Sequence, residues 1–135
     1  MIEHIGNELR LMLENRKPLS MFYYSKVYGG SDILPIAEFS PYVEDGSIVM
    51  EEFELQAGNN EMSVISYLLY ALPGERWRIS AIKVALTAQR DNFHSPDEGI
   101  DRIIGILLGY PKESIDSYVC DGISAGTYNK LTRAK

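Results

Sequence analysis

One cysteine and two histidines are all this chain of 135 residues has of the softer ligand and nucleophile chemistry. With a single thiol, Cys120, no intrachain disulfide forms, and His4 and His94 add too little to complete a typical zinc site. No run of about eighteen apolar residues exists, so no membrane-spanning helix is expected. The start, Met1-Ile2-Glu3-His4-Ile5, lacks the basic region and apolar stretch of a signal peptide. Together with the lone cysteine this points to a reducing, cytoplasmic home.

Chemical motifs are missing as well. There is no Asp-x-Asp-x-Asp-Gly calcium loop and no Gly-x-Ser-x-Gly elbow. Gly29-Gly30 and Gly58-Asn59-Asn60 have neither the lysine nor the spacing of a phosphate loop. Arg76, Lys83 and Arg90 give one sparse basic stripe, below the density of a nucleic-acid footprint. Cys120 ends the apolar stripe of Ile115 and Val119 and reads as a small buried side chain. No catalytic residue, no cofactor and no metal ligand is assigned.

What is present is an uneven distribution of charge. The formal net charge is −6, and residues 1–58 hold all of it, with ten acidic and four basic side chains against nine of each in residues 59–135. The acids are densest around Glu38, Glu44, Asp45, Glu51, Glu52 and Glu54, with Phe39, Tyr42 and Phe53 between them. Such a surface attracts basic proteins and repels nucleic acid and anionic membranes.

Length and composition indicate a single domain over 1–135, with an acidic half (1–58), a helical half (59–121) and a loose tail (122–135). At the front, Ile2, Ile5, Leu9 and Met12 line a first helix, with Arg16 and Lys17 at its end as the macrodipole prefers. Met21-Phe22-Tyr23-Tyr24 reads as strand. Asp45-Gly46 suggests a hairpin between strands at Glu38–Val43 and Ile48–Leu55, with Pro41 on an edge or at a bulge. Asn60 caps an expected helix burying Ile65, Leu68, Leu69 and Leu72. A helix after Pro73-Gly74, apolar over most of its circumference, is expected at the centre of the core. Ser95 caps the next, with Pro96 at its first position and Ile100, Ile103, Ile104, Leu107 and Leu108 as its stripe. A short helix from Pro111 buries Ile115, Tyr118 and Val119. Trp77, Ile82, Leu86, Ile103, Ile104 and Leu107 are the expected core.

The fold class expected is therefore α+β: an N-terminal helix, a small antiparallel sheet, then a C-terminal cluster of four helices. An all-α domain is the alternative. The function expected is a small binding protein that blocks a basic protein partner, as an immunity protein or nuclease inhibitor does. Its partner-binding residues are Tyr42, Glu44, Asp45, Glu51, Glu52 and Glu54, whose carboxylates imitate phosphate and whose aromatic neighbour supplies an anchor. Two alternatives stand beside it: a non-enzymatic adaptor, and a metal-dependent enzyme using the same carboxylates. The order Glu52-Phe53-Glu54 lacks the lysine that metal-dependent nucleases often set two residues after such a group. Neither nucleic acid nor membrane is an expected partner, and the oligomeric state is open.

Overall fold

A computed structural model describes residues 6–26, 29–56, 64–92 and 95–128. It is α+β, as the sequence indicated: α1 (Glu8–Leu13), β1 (Leu19–Ser25), α2 (Ile36–Glu44), β2 (Val49–Gln56), β3 (Val64–Ala71), α3 (Trp77–Asp91), α4 (Glu98–Leu107) and α5 (Lys112–Ser124). The three strands form one antiparallel sheet in the order β1-β3-β2. Paired residues share a face, so the alternation of each strand assigns the two sides. Leu19, Met21 and Tyr23 of β1 stand with Ala71, Leu69 and Tyr67 of β3 and with Val49, Glu51 and Phe53 of β2. This side packs on α3 and α4 through Ile79, Ile82, Leu86, Ile104 and Leu107. The other side, with Phe22, Leu68 and Tyr70, is covered by Met12 of α1 and Phe39 of α2. Phe39 stacks on Tyr70 at 4.1 Å between ring centroids and meets Phe22 edge-on at 5.7 Å.

Layering on both faces explains the largest correction. The segment expected as a helix after Asn60 is β3, and three helices, not four, follow the sheet. As the central strand, β3 buries Leu69 and Ala71 on one side and Leu68 and Tyr70 on the other. A strand covered twice loses its period-two signal and reads as a plain apolar run. Asn60 itself lies outside the described residues, as do His4 and His94.

The segment Glu38–Val43 is likewise not a strand but most of α2. Phe39, Tyr42 and Val43 fall at helical spacing and all join the second cluster. Pro41 sits inside this helix and removes the bond its amide would give Ala37. Both residues are exposed, so the freed carbonyl is open to water. Asp45-Gly46 ends a helix here instead of turning a hairpin. The Asp45 carboxylate accepts the Ser47 amide at 2.8 Å.

Other expectations shift by a turn or a face. The cap of α4 is Asp97, whose carboxylate accepts the Gly99 amide at 2.7 Å, so Ser95 and Pro96 precede the helix. Trp77 and Ile103 are 57% and 51% exposed and do not join the core. The α3 helix buries one side only, since Val84 is 70% exposed. Tyr118 and Cys120 are exposed, whereas Ile115 and Val119 of the same helix are buried. Helix α5 continues through Asp121 and Gly122 to Ser124, and the chain folds back to bury Tyr128. The tail is therefore packed as far as Tyr128, and residues 129–135 lie outside the described part. Lys17, expected at the end of the first helix, lies beyond α1 and is 1% exposed.

Candidate functional site

The six residues proposed from sequence are placed on several parts of the surface. Tyr42 is half-buried in α2, packed into the second cluster. Glu44 and Asp45 are exposed at that helix's end. Glu52 and Glu54 share the α1/α2 side of the sheet, and Glu51 stands on the opposite side. There Lys83 of α3 donates to Glu51 at 2.6 Å, and Arg76 stands 4.0 Å from its second oxygen. Small Ser66, in the central strand, lets side chains of the flanking strands meet above it. Ser66 donates to Glu52 at 2.7 Å and the Tyr24 hydroxyl donates at 3.1 Å. These bonds, Ser66 first, hold the Glu52 carboxyl below the usual carboxylate range. Lys26 pairs with Glu54 at 2.7 Å. The strand carboxylates are thus satisfied within the fold, whereas Glu38 and Glu44 make no recorded ion pair among the described residues.

On the other side of the sheet the edge strand β1 is only partly roofed. Helix α3 lies towards β2 and β3, leaving Met21 and Tyr23 as the floor of a cleft of about 460 Å³. Its walls are Leu86 and Gln89 of α3, Ile104 of α4, and Ile115 and Tyr118 of α5, with Leu108 and Tyr110 from the turn between the last two helices. Gly105 allows α4 and α5 to come this close, since a Cβ there would lie 2.9 Å from Ile115 Cγ1. Tyr67 completes the aromatic floor, its ring 6.0 Å from that of Tyr23. Burial raises the Tyr67, Tyr110 and Tyr118 hydroxyls above the ordinary tyrosine pKa, so their rings stay neutral.

Asp101 of α4 is the one charged residue lining this cleft. Gln89 donates to one of its oxygens at 3.1 Å, and the Tyr128 hydroxyl donates to the other. A second recess of about 220 Å³ adjoins the first, sharing Gln89, Asp101 and Tyr118 and adding Asp97.

No known family model, curated protein or solved structure matches this chain. Among the described residues no group of three or more His, Cys, Asp or Glu side chains is arranged to hold a metal ion, and no helix is long and apolar enough to cross a membrane. The cleft was not foreseen from sequence. Its four tyrosines, at positions 23, 67, 110 and 118, share no local spacing, and only the fold gathers them.

Proposed function

We propose that this chain is a binding protein whose tyrosine-lined cleft receives a small, largely apolar ligand. The cleft itself carries the reading. Its volume of about 460 Å³ falls in the range of small-molecule sites, which are mostly apolar with a few convergent polar groups. Four aromatic rings and the Met21, Leu86, Ile104, Leu108 and Ile115 side chains supply apolar surface, while Gln89 and Asp101 orient. Its lining holds no serine, cysteine, histidine or lysine, which favours binding over nucleophilic chemistry. The cytoplasmic setting belongs to the same proposal, supported by a lone cysteine that stands exposed.

A screen of aromatic fragments followed through the methyl resonances of Met21, Ile104, Leu108 and Ile115 tests this. The expected result is saturable shifts confined to those groups. Tyr23→Ala should weaken binding about tenfold, the loss of one stacking contact. Tyr23 is 62% exposed, so melting should barely change. A screen that moves none of these methyls would reject the site.

Docking of a basic protein on the acidic surface is the second reading, with α2 as its favoured element. Between Ile36 and Glu44 this helix holds Glu38 and Glu44 and no basic residue, and the exposed Asp32 and Ile33 precede it. A charged rim of this kind speeds encounter. In salt-resolved pulldowns, a basic protein retained by the wild type at low salt should be lost by Glu38→Lys/Glu44→Lys. Equal retention would leave these carboxylates as solvated surface.

A further inference from the structure

We propose that the ligand of the tyrosine-lined cleft is a small organic cation: an ammonium group carried on an aromatic or alkyl body. This deepens the cleft reading and rests on it. The argument is one of charge. The cleft is lined by one carboxylate, Asp101, and by no lysine, arginine or histidine. Both recorded donors to Asp101, the Gln89 amide and the Tyr128 hydroxyl, are neutral. They orient the carboxylate without cancelling its charge, and among the described residues no ion pair to Asp101 is recorded. The nearest arginine in sequence, Arg102, is committed to Asp116 at 2.7 Å. The adjoining recess adds Asp97 and again no base.

An anion entering here would meet a like charge in a partly desolvated setting. A cation would meet Asp101 at one end and tyrosine rings along its body, and the faces of such rings attract ammonium groups electrostatically. The protein already uses this contact on one of the same rings: Lys17 Nζ lies 4.5 Å from the Tyr110 centroid. Because the Tyr67, Tyr110 and Tyr118 hydroxyls remain protonated, they add neutral dipoles and no competing charge. Gln89, Asp101 and Tyr118 line both recesses, so a ligand with its apolar body in the larger one would hold its ammonium group beside Asp101.

The test is a matched series of probes: 2-phenylethylamine, 2-phenylethanol and 3-phenylpropanoate, each titrated at neutral pH and low salt against the cleft methyl resonances. The amine should bind at least tenfold more tightly than the alcohol, and the carboxylate should not bind. Raising the salt should erode the advantage of the amine and leave the alcohol unchanged. Asp101→Asn should bring the amine down to the affinity of the alcohol. Should that variant fold poorly, the wild-type series decides alone. Equal binding of amine and alcohol, or preferred binding of the carboxylate, would overturn the cation inference while leaving the cleft as a binding site. Absence of shifts with all three probes would overturn both.

Discussion

Replacing Gly109 with alanine is expected to cost about 2–5 kcal/mol in urea unfolding, from two independent causes. Helix α4 ends in a Schellman motif. The Tyr110 amide donates to the Gly105 carbonyl at 3.1 Å, and the Gly109 amide donates to Ile106 at 3.0 Å. This places Gly109 at φ +79°, where an L side chain costs about 1–2 kcal/mol. The second cause is contact. A Cβ on Gly109 would lie 2.5 Å from Pro18 Cδ, so the segment leading into β1 would have to move. Overpacking of this kind typically costs about 1–3 kcal/mol.

The two causes separate experimentally. Asparagine tolerates the left-handed region better than alanine does, so it relieves the first cause and leaves the second. Gly109→Asn should therefore unfold between Gly109→Ala and the wild type, and Pro18→Ala should recover part of the loss in the Gly109→Ala background but not in the wild type. Wild-type stability in Gly109→Asn would mean that the turn between α4 and α5 is not braced on Pro18. The same turn carries Leu108 and Tyr110 into the cleft, so a displaced turn should also weaken ligand binding.

What the sequence reveals of this molecule follows from how many sides each element buries. Helix α4 buries one stripe, and its period was legible: Ile104, Leu107 and Leu108 are in the core, and only Ile103, at the stripe's edge, turns outward. β1 was legible from its aromatic run Phe22-Tyr23-Tyr24, and β2, read from the Asp45-Gly46 signal before it, sets Val49, Phe53 and Leu55 on one face. β3 was not, because helices cover both of its faces and erase the alternation. In α2, the spacing of Phe39, Tyr42 and Val43 was a helical signal outweighed by Asp45-Gly46, a pair that serves a helix end as readily as a hairpin. Local reading also gave the acidic residues but not their partners. Ser66 and Tyr24, which hold Glu52, lie on two other strands, and Lys83, which holds Glu51, lies on α3. The cleft stands furthest from any local signal, since its walls come from five elements and the turn between α4 and α5.

Lys17 should make the protein more stable as pH rises from about 7.5 to 10. The residue is 1% exposed, and its ammonium group donates to the Leu108 carbonyl at 2.6 Å and lies over the Tyr110 ring. Burial is the dominant influence, partly opposed by Glu8, and it lowers the Lys17 pKa from 10.5 to about 8. Between these values the unfolded chain binds more protons than the folded one, so unfolding free energy increases with pH. The penalty for burying the charge is fully present below the folded pKa and vanishes above the unfolded one. A gap of this size corresponds to about 3 kcal/mol in all, of which about 2 kcal/mol should be recovered between pH 7.5 and 10. Above that the buried tyrosines oppose the gain. Tyr67, Tyr70 and Tyr110 have raised pKa values, so the unfolded chain loses those protons first and stability falls again. Lys17→Met isolates the effect. It removes the buried charge and also the donor to Leu108, changes that oppose each other near neutral pH, where a buried ion often contributes little net stability. The variant should therefore unfold close to the wild type at pH 7 and fall below it at pH 10, where the wild type has shed its penalty. Parallel pH profiles for the two proteins would show that Lys17 stays charged in the fold throughout, and that its carbonyl and ring contacts fully replace the water it gave up.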